Sequence, residues 1–343
     1  MANAPGRKNG TKPRPTMSDV AAASGVSLKT VSRVVNEEPG VRHETAEIVH
    51  RTIAQLGFRR NDLARALRRG RRSGLFGLVI EDVSNPFYSA IARGVEEVTR
   101  RRGMLAIAAS SDEDGERERD LVRVFCERRV DGLLIVPAGD DHGYLLPELR
   151  SGTCVVFIDR PPGKIDADVV LLDNVGGARI AVEHLLAQGH RRIGFVGDAP
   201  GIFTTAERLR GYRKTLARAG LPPDPSLIRL GAHDAAAAEA AVFELLSLPE
   251  PPTALFAGNN RITVGVLRVL GRSGFRLALV GFDDLELGEM LAVPVTVVAY
   301  DAAELGRRAA ELLAQRLAGD DSPPQRIVLP TALIVRGSGE VKP

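Results

Sequence analysis

Cysteine is nearly absent. The 343 residues carry two, Cys126 and Cys154, too few and too isolated for a disulfide framework or a thiolate metal cage. Both are expected to be buried free thiols. No apolar run reaches the length of a membrane-spanning helix, and the first fifteen residues are polar, without the apolar centre of a signal peptide. The expectation is a cytoplasmic protein with no membrane partner. Also missing are a phosphate loop, a clear dinucleotide fingerprint and any Ser/His/Asp or Cys/His order, so no catalytic centre, metal or cofactor is expected. The segment Leu333 to Pro343 contains no heptad repeat, which argues against a tetramerising coiled coil.

What charge there is sits unevenly. Across residues 1–72, 15 Lys and Arg face 6 Asp and Glu, whereas the remainder is acidic, with 31 against 37. A basic N-terminal segment suits a polyanionic partner, since phosphate attraction requires no sequence. Within it, Thr16 can cap a helix that carries Asp19 at its third position, and small Ala21 permits close helix approach. Gly25-Val26 turns the chain, and Ser27 can cap a second helix. Val26, Val31 and Val34 would pack inward, leaving Leu28, Lys29, Thr30, Ser32 and Arg33 outward. Lys and Arg bind phosphates or guanine edges, hydroxyls bind either, and Leu can touch a thymine methyl. A third helix is predicted from His43 to Gly57, with Ile48, Thr52, Ile53 and Leu56 on its inner face. Residues 1–15 read as a disordered basic arm, and 68–74 as a basic linker.

From Gly74 onward, short apolar runs alternate with amphipathic stretches. The runs are Leu75 to Ile80, Leu105 to Ala109, Gly132 to Val136, Val155 to Ile158, Ile193 to Val196, Ala254 to Ala257 and Leu277 to Gly281. This alternation predicts an α/β fold of doubly wound parallel sheets, whose ligands sit beyond the carboxyl ends of the strands. Polar residues after each run become candidates: Asn85, Phe87 and Tyr88; Ser110 and Asp112; Asp140; Asp159 and Arg160; Asn259 and Asp283; with Arg208 at a helix start. Taken singly, such residues commonly cap the next helix. Acids, amides, an arginine and aromatics converging on one cleft fit a polyol or sugar. Phe87, Tyr88 and Phe203 could equally stack a purine.

The block Val20-Ala21, Gly25-Val26-Ser27 and Thr30 through Asn36, continuing through Gly57-Phe58 and Asn61 to Leu67, resembles the headpiece of the lactose-repressor family of bacterial transcription regulators. The resemblance extends to about Gly337 through Asn85-Pro-Phe-Tyr88, Asp159-Arg160, Glu183-His184-Leu185, Gly189-His190, Ile193-Gly194, Arg208 to Tyr212 and Gly281-Phe282-Asp283-Asp284. It implies a three-helix helix-turn-helix headpiece (16–60), a hinge helix and linker (61–73) and a periplasmic-binding-protein-like core (74–343). Lobe 1 is then about 74–173 and 299–326, and lobe 2 about 174–298 and 327–343. Thr16, Ser27 and Asn36 join the outward helix residues as implied DNA contacts. Asn61, Ala64 and Leu67 belong to a hinge helix that wedges its leucine into the minor groove at the centre of a palindrome. Arg208, Asn259 and Asp283 are implied effector contacts. His184 and His190 belong to the structural pattern and read as helix-surface and turn histidines. The implied protein is a homodimeric repressor on a palindromic operator, answering a small sugar, with purine-type corepression as the alternative.

Four positions depart from the family pattern: Arg60 replaces a frequent proline, Asn260 a frequent aspartate, and Tyr300 a frequent glutamine, while the segment 274–281 is about four residues short. The second and last bear on the effector cleft.

Overall fold

The computed structural model describes residues 15–59 and 72–343 in two compact units, divided after Ser73. Arg60, Asn61, Ala64 and Leu67 lie outside the described residues, as does most of the basic arm.

The first unit holds α1 (Met17–Ser24), α2 (Leu28–Val35) and α3 (His43–Leu56). Thr16 and Asp19 close a reciprocal capping box, the Thr16 amide donating to Asp19 at 2.7 Å. Gly25 ends α1 in the left-handed region at φ 70°, and the Ser27 hydroxyl accepts from the Thr30 amide at 3.1 Å to start α2. Val20, Val31, Val34 and Val49 form a four-valine centre. The inner face of α3 differs from the predicted one. Ala46, Val49, Thr52 and Ile53 point inward, whereas Ile48 and Leu56 are exposed. One residue of helix turns a side chain by about 100°, so the stripe through Val49 carries Ile48 outside.

The second unit contains two six-stranded sheets. Lobe 1 orders its strands β2 (Leu105–Ser110), β1 (Leu75–Ile80), β3 (Gly132–Ile135), β4 (Cys154–Ile158), β5 (Asp168–Leu172) and β11 (Arg326–Leu329), all parallel. Lobe 2 orders β7 (Ile228–Arg229), β6 (Ile193–Val196), β8 (Ala254–Ala257), β9 (Ala278–Phe282), β10 (Thr296–Ala299) and β12 (Ala332–Ile334); only β12 is antiparallel. Around lobe 1 stand α4 (Pro86–Arg101), α5 (Gly115–Glu127), the short α6 (Leu146–Arg150) and α11 (Ala302–Leu317); around lobe 2 stand α7 (Asn174–Ala187), α8 (Phe203–Arg218), α9 (Ala235–Leu246) and α10 (Asn260–Ser273). The chain crosses between lobes at Asp173, again between β10 and α11, and finally at Pro330-Thr331. That last crossing corrects the boundary at 326/327, because β11 pairs with β5 in lobe 1.

Cys126 and Cys154 form no disulfide and are only partly buried, and burial with Glu148 nearby pushes Cys126 up to about 12. His190 is fully buried rather than a surface turn residue: its ring contacts Thr253 Oγ1 at 2.9 Å and donates to the Val341 carbonyl at 2.8 Å. With the His184–Glu340 pair, it pins the C-terminal segment to lobe 2.

Helices α4 and α11 touch at two glycines. A Cβ on Gly94 would lie 1.9 Å from the Ala303 carbonyl, and one on Gly306 would lie 2.0 Å from that of Ile91. Gly306→Ala is expected to destabilise the core by about 1–3 kcal/mol or more through overpacking. Gly271→Ala, in open space within α10, is expected to stabilise it by about 0.5–1 kcal/mol. Thermal denaturation of the two variants checks the opposite signs.

Candidate functional site

The carboxyl ends of both sheets face one crevice, and a cavity of about 40 Å³ lies in it. From lobe 1, Asn85 caps α4 by accepting from the Phe87 amide at 3.1 Å, which aims Phe87 and Tyr88 at the crevice. Tyr88 donates to Glu81 at 2.7 Å, and its phenol is raised well above the usual range by burial. Arg160, just beyond β4, grips the Glu113 carboxylate at 2.7 and 2.8 Å and donates to the Pro137 carbonyl at 2.9 Å. Burial works against its charge, but Tyr88, Glu113 and Asp159 outweigh that and hold it protonated. Glu113 itself is pushed up to about 7 by burial, partly offset by Arg160. Asp159 sits in the left-handed region at φ 69°, buried, and its Oδ1 has no hydrogen-bond partner among the described residues. Burial raises its pKa too.

From lobe 2, Arg208 projects off α8, its guanidinium 3.7 Å above the Phe282 ring. It donates to Asn174 at 2.8 Å and to the Gly258 carbonyl at 2.6 Å, and lies 4.0 Å from Asp283. Asp283 accepts from the Asn260 amide at 3.0 Å and from the Tyr300 hydroxyl. The shortened segment before β9 therefore leaves Asp283 in the crevice. Asn259 caps α10 by accepting from the Ile262 amide at 2.9 Å, and its own amide reaches Asp198 at 3.5 Å.

Polar contacts cross from lobe to lobe, and Phe203 of lobe 2 packs against the lobe 1 core. Asn260 donates its side-chain amide to Asn85 at 2.8 Å, and Arg261 binds Glu81 at 3.3 Å together with Asp82.

Asn85, Phe87, Tyr88, Asp159, Arg160, Arg208, Asn259 and Asp283 thus meet around one cavity as anticipated. Four candidates do not. Asp112 lies exposed in a left-handed turn beyond β2, paired with Arg117, because that edge strand ends away from the crevice. Ser110 accepts from the Val83 amide at 3.0 Å, a loop contact. Phe203, with Asp140, lines a neighbouring groove instead. Sequence reasoning passed over Glu81, Asp198 and Arg261, and named Asn260 only as a carboxylate lost from the cleft. Glu81 directly follows β1 and Asp198 nearly follows β6, so the strand-end rule could have found both; the bridging role of Arg261 has no local signal.

On the headpiece, Leu28, Lys29 and Arg33 are exposed along α2, while Thr30 and Ser32 are partly so. The Ser32 hydroxyl accepts from Asn36 at 3.2 Å, and Thr30 shares a 2.9 Å contact with Ser27. Among the described residues no cluster suits a metal ion, and no helix is long and apolar enough to cross a membrane.

Residues 16–61 match the family described as bacterial regulatory proteins, lacI family, and residues 182–339 match a periplasmic binding protein-like domain. The helix-turn-helix transcriptional regulator CelR of Thermobifida fusca is 36% identical over 339 residues, spanning 95% of this chain and 98% of that one. The helix-turn-helix transcriptional repressor CytR of Escherichia coli is 28% identical over 332 residues, with 96% and 97% covered. Among solved structures, a CelR–cellobiose complex superposes with a TM-score of 0.70 at 34% identity, over 95% of this chain and 100% of that one. The lac repressor dimer bound to operator and the anti-inducer ONPF reaches 0.83 at 26% identity, over 95% and 99%. With a capped helix-turn-helix unit followed by two lobes around a polar cavity, the chain belongs to the lacI family of bacterial regulatory proteins, as a DNA-binding transcriptional repressor and not an enzyme.

Proposed function

We propose that this repressor acts in the cytoplasm as a dimer, binds a palindromic operator, and is released by an uncharged sugar held between its lobes. The carrying observation is the cavity lining: four carboxylates (Glu81, Asp159, Asp198, Asp283) against three guanidiniums (Arg160, Arg208, Arg261), and each guanidinium is already paired with a carboxylate of the protein. Such a lining repels a phosphate or other anion and offers acceptors to hydroxyl groups. The relative CelR, solved with cellobiose, supports the sugar class. Against a purine, the Phe87 ring is held nearly edge-on between Tyr88 and Tyr300, at 4.8 and 5.9 Å, and Tyr88 is buried in the lobe 1 core.

A cavity of about 40 Å³ has room for little more than ordered water. A sugar therefore enters by parting the lobes, at the Asn260–Asn85 and Arg261–Glu81 contacts, and is enclosed when three chain crossovers let them close again. Effector and operator affect each other only through a difference in lobe geometry, typically worth about 1–3 kcal/mol, or some 5- to 150-fold in affinity. Paired headpieces match the two half-sites of a palindrome. In each, Leu28, Lys29, Thr30, Ser32 and Arg33 enter the major groove. Thr16, Ser27 and Asn36 position the helices, and Asn61, Ala64 and Leu67 act at the operator centre.

The test is a titration of the purified protein against an operator selected from random palindromic DNA, with and without a panel of sugars and purines. Release by a sugar is expected; release by none, with tightening by a purine, overturns the reading. Arg33→Ala is expected to weaken operator binding, and Leu67→Ala to lower specific binding while sparing random DNA. Equal loss on both DNAs removes the wedge. Arg208→Ala is expected to keep operator binding and lose the response to sugar, and retained affinity in calorimetry contradicts its role.

A further inference from the structure

Helix α8 presents two chemically different sides. Arg208 points into the cavity between the lobes, and at about 100° per residue Arg210, Arg213 and Lys214 stand about 140° to 240° round the helix from it. There they rim a separate open groove of about 380 Å³, floored by Pro200, Ala206 and Leu209. That volume falls in the range of about 300–1,000 Å³ typical of small-molecule sites. Among the described residues, no carboxylate lines it. Arg210 is paired with Glu207, whereas exposed Arg213 and Lys214 have no carboxylate within ion-pair distance among the described residues. Exposed arginines on other helices are neutralised: Arg93 reaches Glu97, Arg123 reaches Glu127 and Arg272 reaches Glu239. Like charges three and four residues apart on a helix repel one another, so this cluster costs helix stability that a bound anion relieves.

We propose that this groove binds an organic phosphate ester with an apolar body, a ligand separate from the one held between the lobes. The phosphate meets Arg213, Lys214 and Arg210, and the apolar body lies on Pro200 and Leu209. A guanidinium forks onto two phosphate oxygens and an ammonium adds a point charge, so a cluster of both kinds suits a group carrying nearly two negative charges better than a single carboxylate. The two spaces select against each other's ligands. The cavity sets four carboxylates against three guanidiniums and repels an anion, whereas the groove offers cations over an apolar floor and no acceptor carboxylate for sugar hydroxyls. They are nevertheless neighbours. Thr205, buried at 6% exposure, lines both, and the same helix carries Arg208 on one side and Arg213 on the other.

Calorimetry of the full-length protein tests the site, with phenyl phosphate, phenol, AMP, adenosine and inorganic phosphate as probes. At least one of the two esters is expected to bind about tenfold more tightly than its parent phenol or adenosine, which lacks the charge. The same ester is expected to bind about threefold or more above inorganic phosphate, which lacks the apolar body. The double substitution Arg213→Ala with Lys214→Ala is expected to weaken the ester about tenfold or more. Both side chains are exposed, so the double variant is expected to keep the wild-type melting temperature. Arg213→Lys alone, which keeps the charge, is expected to bind the ester within about threefold of the wild type. Equal ester affinity in the wild type and the double variant seats the anion elsewhere, on the basic headpiece or in the cavity, and overturns the groove site. Inorganic phosphate binding as tightly as both esters overturns the apolar body, and failure of both esters to bind overturns the proposal as a whole.

Discussion

Two guanidiniums buried almost completely, Arg160 at 6% and Arg208 at 5% exposure, set the terms for the rest of the core. A buried charge is tolerated only with partners of good geometry, and here these come from separate strand ends: Glu81 beyond β1, Glu113 beyond β2, the Pro137 carbonyl beyond β3. Arg208 likewise draws on the start of α7 and the turn after β8, and lies beside the end of β9. Each arginine ties together loops that the doubly wound topology already brings near one another. The parallel sheets supply convergence, and the charges fix which side chains may occupy it.

The same pairing explains why the departures from the family pattern fit. At Asn260 the side-chain amide donates to Asn85 across the cleft, a bond a carboxylate at that position could not make, while its backbone amide serves Asp283. Losing a negative charge there also avoids crowding Asp283. Tyr300, at a crossover, donates its hydroxyl to the same aspartate and packs against Phe282 and Phe87. The aspartate is thus held from α10 and from the hinge together, which is why shortening the preceding segment leaves it in place.

Much of this was legible in the sequence, and unevenly so. β1, β6 and β8 matched their apolar runs because those strands are central in their sheets and buried on both faces. β5, β10, β11 and β12 were not named as strands. β11 alternates exposed and partly buried residues, and β12 has three residues. α9 was overlooked because its run of alanines carries little apolar contrast, and α11 although it packs across the whole of lobe 1. The caps Thr16 and Ser27 were read correctly because capping is local, each bonding an amide three residues on, while Asn85 and Asn259, named as site residues, also cap their helices. The interlobe bridge was not readable, since Arg261 and Glu81 meet across 180 positions. Asp112 was misjudged because a strand end at the sheet edge looks in sequence like one at its centre.

The late crossover at Pro330-Thr331 has a consequence for biosynthesis. Lobe 1 receives α11 and β11 from residues 302–329, and lobe 2 receives β12 and its docked tail only after residue 331. Neither lobe can be completed on the ribosome until nearly the whole chain has emerged, whereas the headpiece, drawn from the first sixty residues, is finished early. A nonsense codon in the last third but ahead of β11 therefore leaves both lobes short of a strand, whereas one just after β11 spares every strand of lobe 1 and removes β12 from lobe 2.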